Sequence, residues 1–194
     1  VDLRLTSDTV DPAKVGTSEP ATGSLQAAVD YIIANGDLNG DGALFIGVTA
    51  QNCGTGTVGS GDCMGQSGRG PYGHGVENVV ITNTRSERLN VFGCSVDLTA
   101  EDPSKPVITI KDSVGKVTVL DIHVMGSSVA GYLIEGNGDL VVVKNGRAMN
   151  NGVGYWIKDD KVEITGSPEI SGNGVGLQIV GNSVILRTNN VVSN

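Results

Sequence analysis

The sequence predicts an all-β solenoid, a column of stacked coils built from short parallel strands. The first observation is a repeat, because glycines recur after 23 and 22 residues at Gly131, Gly154 and Gly176. An isoleucine lies three residues after each of these glycines. The second observation is that apolar runs of three to five residues alternate with Gly, Asn, Asp and Ser, which is too short for helices. A period of this length indicates a repeat architecture, and strands this short bury a face only by stacking on copies of themselves.

Each repeat carries a second apolar run and then an asparagine. The runs are 141–143, 162–164 and 184–186, and the later pairs are Ala148 with Asn151, Ile170 with Asn173, and Val191 with Asn194. Asparagine and glycine tolerate the positive φ that tight corners need. Asparagines at one corner of successive coils are also able to hydrogen-bond along the stack. We therefore expect an asparagine ladder at one corner of the column.

This pattern resembles the right-handed parallel β-helix of the pectate-lyase-like superfamily. The resemblance is clear over residues 106–194 and extends back to Leu25. It implies a right-handed solenoid with an N-terminal capping helix. The fold hosts many unrelated functions, so the resemblance is specific for architecture and not for activity.

The chain divides into an N-terminal arm or edge strand, residues 1–23, and a β-helix domain, residues 24–194. Residues 24–36 predict the capping helix: Ser24 is a suitable N-cap, an apolar stripe follows from Leu25, and Gly36 ends it. Such a helix either covers the open end of the core or packs on a flank of the column. A Gly-rich loop over 51–75 interrupts the coils, and long loops often carry function.

Charge and composition exclude some partners. The net charge of −8 argues against binding to nucleic acid or to anionic membranes. No apolar run reaches membrane-spanning length. We expect an extracellular or cell-surface protein.

Three acidic or amide side chains form a candidate calcium site directly after the helix. Asp37, Asn39 and Asp41 place oxygen ligands at alternate positions of a glycine-bearing turn. The twelfth position of such a loop is Val48, so the bidentate acid of an EF-hand is missing. The segment is either a partial calcium site completed by other residues or a polar turn.

Cysteine usage leaves the redox compartment open. Cys53 and Cys63 bracket a loop of a size that closes as a disulfide, which would indicate an oxidising compartment. The third cysteine, Cys94, lies in a strand pattern and is expected to be a buried thiol. Four ligands at zinc spacing are absent from the sequence.

The 51–75 loop also holds the candidate ligand-binding residues Arg69, Tyr72 and His74. Gly73-His74-Gly75 resembles the Gly-His-Gly of polygalacturonases, and Asp159-Asp160 resembles their aspartate pair. The order of the two motifs is reversed here and the remaining motifs of that family are missing. We therefore expect Asp159 and Asp160 to form a solvated corner.

Other residues give weaker signals. His123 lies in an alternating run and is expected to point outward from its strand. Tyr132 and Tyr155 occupy equivalent repeat positions, and their parity with the apolar isoleucines favours the core, with Trp156 on the opposite side. No repeat position shows three charged residues on adjacent coils, and such a stack would favour an enzyme.

The expected function is a non-enzymatic structural scaffold. The pattern stops at Asn194 without a capping helix, so we expect either head-to-tail stacking of copies into a filament or continuation into a longer adhesin-like stalk. The alternative is a carbohydrate-active enzyme or carbohydrate-binding module acting on polysaccharide. The sequence implies no certain cofactor, and calcium is the one candidate.

Overall fold

Parallel strands stack along one axis in the computed structural model, which describes residues 1, 9–17, 19–36, 42–48, 74–181, 183–188 and 192–193. A short 3-10 helix, Pro12–Lys14, precedes helix α1, Leu25–Asn35. Within these residues the strands that follow are β1 Ala43–Val48, β2 His74–Val76, β3 Val79–Ile81, β4 Arg88–Thr99, β5 Ile108–Lys111, β6 Val117–Met125, β7 Ala130–Glu135, β8 Val141–Lys144, β9 Arg147–Met149, β10 Val153–Lys158, β11 Val162–Gly166, β12 Glu169–Ser171, β13 Val175–Ile179, β14 Val184–Thr188 and β15 Val192–Ser193.

The strands form three faces of a β-solenoid. Sheet I has the order β13-β10-β7-β5-β3. The long strands β4 and β6 bend at a corner, so their first halves pair in sheet II with β1, β8, β11 and β14, and their second halves pair in sheet III with β2, β9, β12 and β15. All pairings are parallel. The predicted parallel β-solenoid is therefore confirmed.

We number the coils by their strands. Coil 1 contains α1, β1 and β2; coil 2, β3 and β4; coil 3, β5 and β6; coil 4, β7 to β9; coil 5, β10 to β12; and coil 6, β13 to β15. The core is the inner column of these coils, where branched apolar side chains stack at 0–5% exposure. The predicted repeats match this register, because Ile157 pairs with both Ile134 and Ile179. One predicted match is wrong by one residue, since Ile170 pairs with Val192 and not with Val191.

Steric crowding between adjacent coils requires the repeated glycines. A Cβ on Gly131 would lie 2.8 Å from Nδ2 of Asn151 and 2.9 Å from the carbonyl oxygen of Gly154. The backbone of sheet I therefore approaches the neighbouring coil too closely at this position for any side chain. This crowding explains why glycine recurs at the first repeat position.

Helix α1 takes the place of a sheet I strand in coil 1. Ser24 caps it as predicted, since its hydroxyl accepts from the amide of Ala27, and Gly36 ends it. The Gln26 side chain forms the hydrogen bonds that a neighbouring strand would form with the edge of β3. It accepts from the Val80 amide at 2.6 Å and donates to the Val80 carbonyl at 3.1 Å. The predicted cap is confirmed, because α1 covers an edge that otherwise offers unpaired backbone groups.

A second side chain fastens the start of α1 to the coils. The Glu77 carboxylate accepts from the Ser24 hydroxyl at 2.6 Å, the Leu25 amide at 2.9 Å and the Gln26 amide at 3.0 Å. These donors belong to the first turn, where helix amides lack partners within the helix and attract negative charge. The helix is thus held to the first coils at its N-terminal end.

Polar ladders run along two corners of the column. In one, Oδ1 of Asn151 accepts from the amide of Ser127 at 3.1 Å, and Oδ1 of Asn173 accepts from the amide of Asn151 at 2.9 Å. In the other, Oδ1 of Asn137 accepts from the amide of Ser113 at 3.1 Å, and the Asp159 carboxylate accepts from the amide of Asn137. The expected asparagine ladder is confirmed for Asn151 and Asn173, while Asn194 lies outside the described residues.

Asp159 corrects the expectation of a solvated corner. Only 7% of the residue is exposed, and its carboxylate accepts from the amide and the Nδ2 of Asn137 at 2.7 and 2.8 Å, and from the amide of Asp160 at 2.7 Å. The aspartate is a rung of a ladder, because its oxygens accept from the backbone of the neighbouring coil and of the next residue. Asp160 is exposed, as predicted.

Candidate functional site

Most of the site residues predicted from the sequence lie outside the described residues. These are the calcium candidates Asp37, Asn39 and Asp41, the cysteines Cys53 and Cys63, and Arg69 and Tyr72 of the 51–75 loop. Of His74 only the backbone is described, and it begins β2, so the first two residues of the strand fall within the predicted loop. The calcium site, the disulfide and the loop site therefore stay predictions.

The outer face of sheet III carries a column of charged residues that the sequence analysis missed. Asp97, His123, Arg147 and Glu169 occupy one register position on four adjacent coils, 2 to 5. His74 stands at the same register position on coil 1. We call Asp97, His123, Arg147 and Glu169 the charged column. It corrects the expectation that no such stack exists.

The first two members form a buried pair. Nδ1 of His123 lies 2.9 Å from Oδ1 of Asp97, and the two side chains are 4% and 13% exposed. His123 faces away from the core, because its neighbours Ile122 and Val124 point inward, so the predicted outward direction holds although the residue is buried. The hydrogen bond between the two side chains fixes the orientation of the imidazole ring.

The other two members form a more open pair. Nε of Arg147 lies 3.6 Å from Oε2 of Glu169, with side-chain exposures of 35% and 44%. At this distance and exposure the pair contributes little to stability, about 0–1 kcal/mol. The charged column thus runs from a buried, rigid end at coil 2 to a solvated end at coil 5.

Asp121 lies at the corner that leads into the column. The residue has a positive φ of 52°, as do Ser95 on coil 2 at 51° and Asn145 on coil 4 at 53°. Asparagine and aspartate adopt this left-handed conformation more readily than most residues. Ser95 belongs to an irregularity of β4, where the register shifts between Phe92 and Val96. The insertion changes the strand pairing next to Asp121, as bulges near functional sites often do.

Burial dominates the electrostatics of Asp121. Desolvation raises the pKa of its carboxyl above the usual range, against a hydrogen bond from Asn145 and the charges of His123, Lys144 and Arg147, all of which lower it. Asn145 in turn accepts from the amide of Ser167 on coil 5 at 3.0 Å. The Asn145 side chain therefore joins coils 4 and 5 at this corner.

This arrangement brings together groups that can accept and donate protons. A carboxyl of raised pKa beside a histidine–aspartate pair and two cations is a combination found where protons are transferred. Within the described residues, no group of three or more His, Cys, Asp or Glu side chains is placed to hold a metal ion.

The aromatic residues divide between core and surface as predicted. Tyr132 and Tyr155 are fully buried and stack with ring centroids 4.8 Å apart at 11°. Trp156 lies on the outer face of sheet I, where Nζ of Lys158 sits 3.9 Å from its ring centroid. The lysine also contacts Glu135 at 3.3 Å. One face of the indole is thus occupied by the chain's own cation.

Unequal spacing hid the charged column from sequence analysis. Its members are 26, 24 and 22 residues apart, whereas the recognised repeat has intervals of 23 and 22. The sequence does contain a clue to the column: each of its members comes immediately before an apolar residue that faces the core from sheet III. These apolar residues are Leu98, Val124, Ala148 and Ile170.

Comparisons with known proteins add no family to this geometry. No family model matches the chain, and neither the curated proteins nor the solved structures contain a match. In the part of the chain that the structure describes, no helix has the length and apolar character needed to cross a membrane. Membership of the pectate-lyase-like superfamily stays a prediction.

Proposed function

We propose that this chain is a non-enzymatic structural protein, a β-solenoid scaffold of the extracellular space or cell surface. The observation that carries the proposal is the use of polar side chains as contacts between coils. Asn137, Asn151, Asp159 and Asn173 direct their side chains at the backbone of adjacent coils. Such ladders rigidify the contact between coils, as a structural column requires.

The two ends of the column differ in a way that supports extension at one of them. Ile134 and Ile157 are fully buried, whereas Ile179 at the same register position on coil 6 is 40% exposed. Val175 and Leu186 of coil 6 are 46% and 45% exposed, and Leu186 pairs with the buried Ile164. Exposed apolar residues that continue a core are typical of a surface that another element covers. We assign this face to a further parallel coil, as in a stalk.

The capped end argues against head-to-tail stacking of copies. Gln26 already satisfies the edge of β3 at Val80, and α1 occupies the space beside that edge. A coil 6 from another copy would have to displace the helix to pair there. The stalk is therefore the form of scaffold that we propose.

The test is the solution state over a range of concentrations, by multi-angle light scattering and negative-stain electron microscopy. We expect a monomer at every concentration, because α1 blocks the edge that coil 6 of another copy would need. Filaments or a concentration-dependent series of oligomers would contradict the stalk and support head-to-tail stacking. In that case Ile179→Lys should abolish the association, while the control Val114→Lys should not, since Val114 is 61% exposed in the turn between β5 and β6.

We also propose the right-handed, pectate-lyase-like form of the fold. The support is general: connections between parallel strands of one sheet are right-handed in about 98% of cases. An experimental structure that shows a left-handed coil would overturn this assignment.

We retain a carbohydrate-active enzyme or carbohydrate-binding module as the second candidate, because the charged column is the stack that favours it. Asp121 would act as the acid and the His123–Asp97 pair as the base. The test is product formation from acidic polysaccharides, with and without chelator, for wild type and Asp121→Asn. Products that disappear in the variant would support the enzyme, and no product from any substrate tested would leave the scaffold proposal standing.

A further inference from the structure

A groove opens between helix α1 and the edge of β3. Its volume is about 410 Å³, within the range of ligand pockets. Val29 and Ile33 of α1 line one side, and Val80 and Thr82 line the other. The helix therefore covers the end of the column without filling the space beside sheet I.

The backbone of residues 79–83 alternates in direction along this edge. The amide of Val79 donates to a carbonyl of coil 3 at 2.8 Å, and the amide of Asn83 donates to a serine hydroxyl of coil 3 at 3.0 Å. Successive residues of an extended strand direct their N–H and C=O groups to opposite sides, because the backbone is pleated. The backbone groups of Val80 and Thr82 therefore face away from coil 3, toward α1 and the groove.

The contact of Gln26 shows which chemical group this edge binds. Its carboxamide oxygen accepts from the Val80 amide at 2.6 Å, and its nitrogen donates to the Val80 carbonyl at 3.1 Å. A carboxamide presents an acceptor and a donor, as a peptide group does. Thr82 offers the same two backbone groups two residues further along, and no residue in the described part of the chain bonds them.

We propose that this groove binds an extended segment of a partner protein, which pairs with the backbone of Thr82 as an added strand. Strand addition of this kind takes its affinity from main-chain hydrogen bonds and its specificity from side-chain pockets. The proposal goes beyond the scaffold function, because it gives the capped end of the column a protein ligand.

The walls of the groove favour an apolar side chain in the bound segment. Val29, Ile33 and Ala34 contribute the apolar wall on the helix, and Val80 contributes apolar surface from the strand. Val80 is 40% exposed, so part of this surface is open to solvent. Covering it with a branched side chain of the partner removes apolar area from water.

The charge at the groove favours a basic residue beside that apolar one. Asp30 is an exposed carboxylate on the groove and accepts from Nε2 of Gln26 at 2.8 Å. Arg85, in the turn beyond the groove, is paired with Glu87 at 3.1 Å, which offsets its charge. The net charge of −8 also attracts a basic partner. The expected occupant is thus an extended segment that combines apolar and basic residues.

The experiment measures fluorescence polarisation of a short labelled peptide of alternating valine and lysine. Because successive amides of an extended peptide point to opposite sides, two further versions are compared, N-methylated at the odd or at the even amides. We expect wild type to bind the unmodified peptide and one N-methylated version. The other version should bind about tenfold more weakly, because it loses main-chain donors to the edge.

Two pairs of variants locate the site. Ala34→Trp places a large ring in the groove from an exposed position on α1 and should abolish binding, while Asn35→Trp places the same ring on the next exposed residue, outside the groove, and should not. Asp30→Lys reverses the charge at the groove and should weaken binding of this basic peptide about tenfold. Asp139→Lys makes the same change at an exposed position before β8 and should leave binding unchanged.

Three results would overturn the proposal. They are no binding of the unmodified peptide to wild type at millimolar concentration, equal affinity of the two N-methylated versions, and equal loss in Ala34→Trp and Asn35→Trp. A nuclear magnetic resonance titration of wild type needs no variant: the Thr82 amide signal should shift as the peptide is added, and an unmoved signal would also overturn the proposal. None of these measurements depends on association through coil 6, so the groove and the scaffold fail separately.

Discussion

Removing the central rung of the asparagine ladder should destabilise the whole column. Asn151 is 4% exposed, and its side chain accepts from the Ser127 amide at 3.1 Å while donating to the Val124 carbonyl and to Oδ1 of Asn173, both at 3.2 Å. Asn151→Ala leaves the Ser127 amide buried without that acceptor. One such orphaned donor costs about 1–3 kcal/mol, and the two bonds lost from Nδ2 together add about 1 kcal/mol. We therefore expect a loss of about 2–4 kcal/mol in the free energy of unfolding.

Urea denaturation provides the assay. Trp156 is the only tryptophan in the chain and lies on coil 5, next to the ladder, so its fluorescence reports on this region. With a slope of about 2 kcal/mol per molar urea, the midpoint should fall by about 1–2 M. The urea midpoint of Asn151→Ser should lie between those of wild type and the alanine variant, because serine already occupies the equivalent position on the neighbouring coil, at Ser127.

The matched control is Gln178→Ala, a change at an exposed amide side chain of β13. Surface changes of this kind stay within about 0.5 kcal/mol. The reasoning is refuted if Asn151→Ala behaves like the control. It is also refuted if the slope rather than the midpoint changes, since that would place the effect in the denatured state.

Two further changes test other contacts of the column. Tyr155→Phe removes the hydroxyl that donates to the Gly146 carbonyl at 3.0 Å while the ring stays, so urea midpoints should report a loss of about 1 kcal/mol, and no loss would show that the bond is not stabilising. Glu77→Gln weakens the acceptor for the first turn of α1 by about 1–2 kcal/mol, which hydrogen exchange should detect as faster exchange of the Leu25 and Gln26 amides alone. Faster exchange throughout the core would instead show that α1 does not open on its own.

The repeat made the architecture predictable from the sequence. The spacing of Gly131, Gly154 and Gly176 indicated the number of residues per coil. Crowding against the next coil requires glycine at the first two of these positions. Ser24 and Gly36 marked α1 because capping depends on local residues alone. These features are local or strictly periodic, which is the information that a single sequence displays.

The candidate site was hidden for a physical reason. β4 contains extra residues between Phe92 and Val96, so the position of Asp97 relative to His123 differs from the regular coil length. Counting residues from one coil to the next therefore does not give the correct strand register at this corner. The burial of Asp159 and His123 was also not predictable, because polar residues in such positions usually lie at the surface. Their contacts with Asn137 and Asp97 explain why they are buried.

The stacked tyrosines set the inner width of the column. The hydroxyl of Tyr132 donates to the Ile122 carbonyl, and that of Tyr155 to the Gly146 carbonyl, so each ring spans from sheet I to the corner between sheets II and III. Each side chain acts as a spacer of fixed length between two walls. Coils 4 and 5 therefore cannot narrow without a clash, or widen without leaving a buried hydroxyl unbonded. Any neighbouring coil that continues this core has to match a cross-section fixed by the length of a tyrosine.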